Sequence, residues 1–96
     1  MAYIIYITPT ALNDIEEAIN YYNSKATNLG FKFADDVENN FLVIAQHPNA
    51  FAERYKGVRG KLLKRFPYLI LYNANHQLQQ VEVLRLFNTY QNPYWV

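Results

Sequence analysis

Residues 8–48 decide the fold, and they read TPTALNDIEEAINYYNSKATNLGFKFADDVENNFLVIAQHP. Thr8 is a good helix N-cap, and Pro9 suits the first helical position, where its missing N–H is not needed. Apolar residues then recur at helical spacing, namely Leu12, Ile15, Ile19 and Tyr22. This pattern predicts an amphipathic helix over residues 9–25.

A second helix is predicted directly after the first. The segment Ala26–Gly30 is rich in turn formers, and either Thr27 or Asn28 could cap the new helix. Its apolar stripe comprises Leu29, Phe33, Val37, Phe41 and Ile44, and Pro48 closes the run. Helices joined by so short a loop pack antiparallel. Neither apolar stripe is wide enough to be buried on all sides, so the hairpin must lie on another layer.

Strand-like runs flank the helices and supply that layer. They occupy residues 3–7, 58–66, 68–73 and 79–87. Residues 49–57 are expected to be irregular, and Asn73-Ala74-Asn75-His76 to form a hairpin turn. The order of elements is strand, helix, helix, strand, strand, strand. It predicts one α+β domain over residues 1–96, in which the helical hairpin packs on one face of a four-stranded, mainly antiparallel sheet.

A single core should join the helices to the sheet. The residues expected to share it are Leu12, Ile15, Ile19, Phe33, Val37, Phe41, Ile44, Leu71, Leu84 and Leu86.

Composition restricts the class of protein. The 96 residues are 51% hydrophobic, which is enough for a core and excludes a disordered chain. The absence of Cys excludes disulfides, thiolate metal sites and a Cys nucleophile. No apolar run is long enough to span a membrane, and the N-terminus lacks the features of a signal peptide, so we expect a soluble, cytoplasmic protein. No Gly-rich loop or metal-binding motif is present, so we expect neither a cofactor nor a metal.

Charge is unevenly distributed along the chain. Residues 1–50 carry six acids and two bases, whereas residues 51–96 carry seven bases and two acids. The acids of the two predicted helices lie largely off the apolar stripes and mostly near helix starts, so they are interpreted as solvated side chains rather than as paired general acids and bases. They are Asp14, Glu16, Glu17, Asp35, Asp36 and Glu38. The basic half predicts a surface that attracts phosphate or an acidic protein, although an ordinary solvated surface is equally compatible with the charge.

The basic residues concentrate in the run from Arg59 to Phe66. Strand alternation places Arg59, Lys61 and Arg65 on one side together with Leu63. It places Val58, Leu62 and Phe66 on the other side together with Lys64. Because unpaired cations are costly to bury, we expect the cationic side to be open to solvent or to a partner, with Leu62 and Phe66 buried beneath it.

Further polar and aromatic residues allow two interpretations each. Arg85 either reaches the same open face or pairs with Glu82 or Glu53. His47 and His76 are interpreted as surface residues rather than as ligands or catalysts. The aromatic tail, Tyr90, Tyr94 and Trp95, could stack on nucleic-acid bases, but coverage of the core edge is the favoured interpretation.

The order of elements, the size and three segments resemble the RelE/ParE superfamily of toxin–antitoxin toxins, specifically its ParE-like or plasmid-stabilisation branch. The segments are Thr8–Ile15 at the first helix, Gly57-Val58-Arg59 followed by Phe66–Tyr72, and Val83–Pro93 at the closing strand. The resemblance implies a toxin held inactive by an antitoxin encoded beside it. ParE-like members are known for poisoning DNA gyrase, whereas RelE-like members cut mRNA in the ribosome without a metal.

The sequence departs from the family at three positions. Asn88 stands where the family usually has histidine, Gln91 replaces a usual arginine, and Leu69 stands where many members carry arginine. Asn88 cannot act as a general acid or base.

Metal-free RNA cleavage needs a base, an acid and cations for the phosphate. Candidates for a ribonuclease are Arg59, Lys61, Arg65 and Tyr90, but Lys61 would need a depressed pKa and Tyr90 is ordinarily protonated. The candidates for binding a target or nucleic acid are Arg59, Lys61, Lys64, Arg65, Arg85 and Asn88. We therefore favour a toxin that binds DNA gyrase or another macromolecule. The alternatives are a RelE-like ribosome-dependent endoribonuclease and a diverged, non-toxic family member.

Overall fold

The computed structural model describes residues 2–90, which form one sheet and two helices. The elements are β1 (Ile4–Ile7), α1 (Pro9–Lys25), α2 (Leu29–Gln46), β2 (Glu53–Tyr55), β3 (Val58–Leu62), β4 (Tyr68–Asn75) and β5 (Gln80–Asn88). The sheet has five strands in the order β1-β5-β4-β3-β2. All neighbours are antiparallel except β1 and β5, which are parallel. The α+β fold is confirmed, with one more strand than expected, because three-residue β2 is too short to show a period-2 pattern.

Both helices begin and end close to the predicted positions. The Thr8 hydroxyl oxygen accepts a hydrogen bond from the Ala11 N–H at 3.1 Å, which confirms the predicted N-cap. Asn28 precedes α2 in a left-handed conformation but makes no side-chain capping bond. Instead, the side chain of Asn23 in α1 accepts from the Gly30 N–H at 2.8 Å. The helical hairpin therefore supplies its own cap from the preceding helix.

The second half of the sheet differs in detail from the expectation. β3 ends at Leu62, and β4 continues to Asn75 through residues expected to form the turn. The turn lies at residues 76–79, where the Asn75 side chain accepts from the Leu78 N–H at 3.0 Å. Gln79 closes the turn with φ +54°. The short polar side chain of Asn75 thus terminates the strand two residues after the predicted end.

Apolar side chains form two clusters, one on each face of the sheet, rather than a single core. The cluster facing the helices contains Ile15, Phe33, Val37, Phe41, Ile44 and Leu86, as predicted, with Ile19 packed at its margin. Leu71 and Leu84 lie instead with Val58, Leu69 and Phe87 in the cluster on the other face. A register shift between Leu71 and Tyr72 skips Leu84, because Leu71 pairs with Arg85 and Tyr72 with Val83, so Leu84 lies on the opposite face from Leu86. Leu71 lies on the far face by ordinary strand alternation, because its neighbours Ile70 and Tyr72 face the helices.

Leu12 is 47% exposed, so its assignment to the core was wrong. The buried residues of α1 are Ala11, Ile15 and Ala18. The buried face of the helix is therefore rotated slightly away from the predicted face, which included Leu12. Ala11 and Ala18 are both buried in the helix-facing cluster.

The charge asymmetry of the sequence corresponds to the two layers. All six acids and both bases of residues 1–50 lie on α1 and α2. The seven bases of the second half lie on β2–β5 and their connections. The helix layer is therefore acidic and the strands from β2 to β5 are basic. Across residues 2–90, neither helix is long and apolar enough to cross a membrane.

Candidate functional site

Arg59 on β3 is occupied by contacts within the chain. Its guanidinium Nη1 donates to the carbonyl oxygens of Phe51 at 2.7 Å and of Asn49 at 3.4 Å. The side chain is half-buried. Arg59 thus fixes the connection between α2 and β2, and the expectation of an open cationic face is wrong at this position.

Lys61 shares that face of β3 and also points toward the helices. Its ammonium group donates to the side-chain oxygen of Asn40 in α2. The Asn40 amide in turn donates to the carbonyl oxygen of Asp36 at 2.6 Å. Burial lowers the pKa of Lys61, the neighbouring Lys64 lowers it further, and Asp36 opposes both effects. A general base needs such a lowered pKa, but the Lys61 amine is bound to Asn40 at the junction of α2 and the sheet.

The remaining residues of the predicted basic strand lie beyond the strand's end. The chain turns after Leu63, whose N–H donates to the Tyr68 carbonyl oxygen at 3.0 Å. Lys64 and Arg65 are exposed in this turn. Leu62 is 53% exposed, which contradicts its predicted burial. Phe66 is half-buried against the helix-facing cluster, so the alternation assumed from Arg59 to Phe66 is broken by the turn.

Arg85 pairs with Asp14 of α1 and not with Glu82 or Glu53. The guanidinium donates to the Asp14 carboxylate from Nε at 2.8 Å and from Nη2 at 3.2 Å. The same carboxylate accepts from the Leu86 N–H at 3.0 Å. The pairing of β1 with β5 ends at Val83. Past that point on the same strand, the Asp14 carboxylate provides the acceptor for the Leu86 N–H. Arg85 is therefore not an unopposed cation on an open face.

A pocket of about 330 Å³ opens beside this ion pair, between α1 and the end of β5. Its polar lining comprises Asp14, Glu17, Tyr21, Tyr68, Arg85 and Asn88. Burial raises the pKa of Tyr68, a side-chain hydrogen bond with Asn88 lowers it, and the ionisable groups of Tyr21, Asp14 and Glu17 raise it. The carboxylates of Asp14 and Glu17 therefore oppose ionisation of the Tyr68 hydroxyl.

Asn88 and Tyr90 lie at the end of β5. The Asn88 side-chain oxygen accepts from the Tyr90 N–H at 2.9 Å, and Tyr90 is 84% exposed. Gln91, Tyr94 and Trp95 lie outside the described residues. Within residues 2–90, no hydrogen bond or ion pair joins any two of the four ribonuclease candidates, Arg59, Lys61, Arg65 and Tyr90.

The two histidines lie apart from this pocket. His47 is exposed at the end of α2, and the Nδ1 atom of His76 lies 2.8 Å from the Tyr3 hydroxyl. Over the described part of the chain, no group of three or more His, Asp or Glu side chains is arranged to hold a metal ion.

Comparison with known proteins identifies the family. Residues 5–93 match the model of the ParE toxin of the type II toxin–antitoxin system parDE. The chain belongs to the ParE toxin family. No curated protein sequence gives a significant match. The match spans nearly the whole chain, from within β1 to beyond the end of β5, and so includes both helices.

Solved structures show the same fold as this ParE-family chain. The chromosomal ParDE system from P. aeruginosa matches with a TM-score of 0.77 at 20% identity, over 91% of this chain and 96% of that one. The RelBE toxin–antitoxin complex from Mycobacterium tuberculosis matches with a TM-score of 0.63 at 21% identity, over 92% and 99%. A RelE toxin mutant from E. coli in the free state matches with a TM-score of 0.57 at 14% identity, over 98% and 92%.

Sequence reasoning missed two polar residues that organise this ParE-family domain. Asp14 was interpreted as a solvated helix acid, yet it lies on the buried side of α1, between Ala11 and Ala18. Asn40 was not singled out, yet it is buried in α2 next to Phe41. A polar residue inside an apolar stripe was the available signal, because such a residue needs a partner from another element.

Proposed function

We propose that this ParE-family chain is a cytoplasmic toxin that acts by occupying a macromolecular target, with DNA gyrase the first candidate, and that a cognate antitoxin neutralises it. The family match supports the toxin role. Among the structures with the same fold, the RelBE structure from M. tuberculosis is a toxin–antitoxin complex, which supports a protein partner here.

The main support for binding rather than catalysis is that several of the candidate groups already bond to other parts of the chain. Arg59 and Lys61 are bonded to the α2–β2 connection and to Asn40 respectively. Arg85 is paired with Asp14, and Asn88 cannot exchange a proton at neutral pH. RNA cleavage requires an acid and a base near cations that are free to meet a phosphate. This arrangement supports binding rather than catalysis.

A RelE-like endoribonuclease is the second candidate, and one observation favours it. The lowered pKa of Lys61, caused chiefly by burial, increases the fraction of neutral amine that could accept a proton. For this to operate, the ribosome would have to release the ammonium group from Asn40.

Inducing the protein alone, and then together with the product of the adjacent gene, tests the proposal in cells. We expect growth arrest that co-expression reverses, together with altered plasmid supercoiling or DNA breaks. The supercoiling of purified plasmid by gyrase, with and without the purified toxin, identifies the target directly. If there is no growth arrest at an expression level that gives folded protein, the chain is a diverged, non-toxic member and the proposal is wrong.

A further inference from the structure

The pocket between α1 and β5 contains one acid whose charge is not matched by an ion pair within residues 2–90. Asp14 is occupied by Arg85 and by the Leu86 N–H. Among the described residues, the Glu17 carboxylate accepts one side-chain hydrogen bond, from the neutral amide of Asn13 at 3.2 Å. Glu17 is exposed, so a ligand can reach its carboxylate. The pocket therefore contains the ion pair of Asp14 with Arg85 and a second carboxylate, that of Glu17, which is accessible to a ligand.

The charges lining the pocket favour a cation over an anion. Two carboxylates, Asp14 and Glu17, line it with one guanidinium, that of Arg85, so one negative charge is in excess. The Nε and Nη2 atoms of Arg85 already donate to Asp14. A phosphate or carboxylate entering the pocket would meet the unneutralised Glu17, whereas a cation would be attracted to it.

Aromatic side chains add a second preference for a cation. Tyr21 and Tyr68 both line the pocket, and the face of a phenol ring attracts a cation. The Lys25 ammonium already lies 5.2 Å from the centre of the Tyr21 ring. A guanidinium suits such a site better than an ammonium, because it stacks on phenol rings and donates to a carboxylate through two parallel N–H groups.

We propose that this pocket receives an arginine side chain of a partner protein, with its guanidinium bound to Glu17 between Tyr21 and Tyr68. The volume of about 330 Å³ suffices for a guanidinium and part of its stem. The proposal rests on the proposed function for the existence of a partner, but the chemical preference of the pocket can be measured without one.

The direct test titrates the purified protein with N-acetyl-arginine methylamide and follows backbone amide signals by NMR. We expect saturable shifts at Leu86 and Asn88. The isosteric but neutral N-acetyl-citrulline methylamide, and inorganic phosphate, should produce none. Glu17→Gln should weaken arginine binding about tenfold, the loss expected for one charged hydrogen bond. Glu16→Gln is the matched control, because Glu16 is exposed on the same helix and does not line the pocket.

Two results of this titration would overturn the proposal. One is equal shifts with the citrulline and arginine probes, and the other is equal arginine affinity in Glu17→Gln and Glu16→Gln. Because the titration needs neither toxicity nor an antitoxin, it remains informative if the proposed function is wrong.

Charge reversal identifies which partner supplies the arginine. Glu17→Lys should retain the native amide spectrum, because Glu17 is exposed. If the variant still arrests growth but is no longer neutralised by the adjacent gene product, the arginine belongs to the antitoxin. If it binds the antitoxin normally but no longer arrests growth, the arginine belongs to the target. Wild-type behaviour in both assays would show that no partner uses the pocket.

Discussion

Replacing Asp14 with alanine removes the common acceptor of three hydrogen bonds that join α1 to β5. Two come from the Arg85 guanidinium, at 2.8 and 3.2 Å, and one comes from the Leu86 N–H at 3.0 Å. The Arg85 side chain is 42% exposed and that of Asp14 is 13% exposed. The substitution therefore affects a half-exposed ion pair and a backbone donor in a buried residue.

The two contributions differ in size. An ion pair with one half-exposed member contributes about 0–1 kcal/mol to stability. Leaving a buried backbone N–H without an acceptor costs about 1–3 kcal/mol. We expect Asp14→Ala to lower the free energy of unfolding by about 2–3 kcal/mol. Asp14→Asn keeps an oxygen that can accept from Leu86 but removes the charge, so its expected loss is about 1 kcal/mol.

Urea unfolding followed by far-ultraviolet circular dichroism measures these differences. Glu16→Ala is the control, because Glu16 is an exposed acid of the same helix, and its effect should lie within about 0.5 kcal/mol of zero. If Asp14→Ala were as mild as Glu16→Ala, the carboxylate would not stabilise the junction of α1 and β5.

Three further stability measurements test other parts of the fold. Phe41→Ala should lower the free energy of unfolding by about 3–5 kcal/mol in urea, because the ring belongs to the helix-facing core, and a loss below about 1 kcal/mol would reject that assignment. Arg59→Ala should lower the free energy of unfolding by about 1–3 kcal/mol, because the hydrogen bond to the Phe51 carbonyl is lost. Arg65→Ala is the control, because Arg65 lies in an exposed turn, and it should change the free energy of unfolding by less than about 0.5 kcal/mol. Equal effects of the two substitutions would contradict the structural role of Arg59. Burial raises the pKa of Tyr72 from 10.0 to about 12, so the folded state keeps a proton that the unfolded chain loses. Its contribution is complete below pH 10.0 and is lost as the pH rises toward about 12, and Tyr72→Phe should flatten this fall in a pH series of urea unfolding curves.

Local patterns predicted the helices because their signals are contained within each helix. The Thr8 cap, the Pro9 start and the apolar spacing of α2 all act over a few residues, and the structure reproduces them. Leu12 was assigned wrongly because Leu12 and Ala11 are equally compatible with a stripe through Ile15. Only the packing of α1 against the sheet distinguishes the two.

The sheet and the site depended on contacts between distant elements. The irregular register near Tyr72 places Leu84 and Leu86 on opposite faces of the sheet, although they are two residues apart, and no local pattern marks it. Arg85 was correctly recognised as an unusual residue in an apolar strand, but its partner, Asp14, lies 71 positions earlier in the chain. A close reading of α1 could have flagged Asp14 as an acid inside an apolar stripe, but not its partner.

We propose that the protein arrests growth by binding a target and not by cutting RNA. Mapping the 5′ ends of cellular mRNA before and a few minutes after induction of the toxin distinguishes these two mechanisms most directly. We predict growth arrest without new 5′ ends inside translated codons. New cleavage sites within open reading frames that require the ribosome and disappear in a folded Lys61→Ala variant would show that the protein is an endoribonuclease.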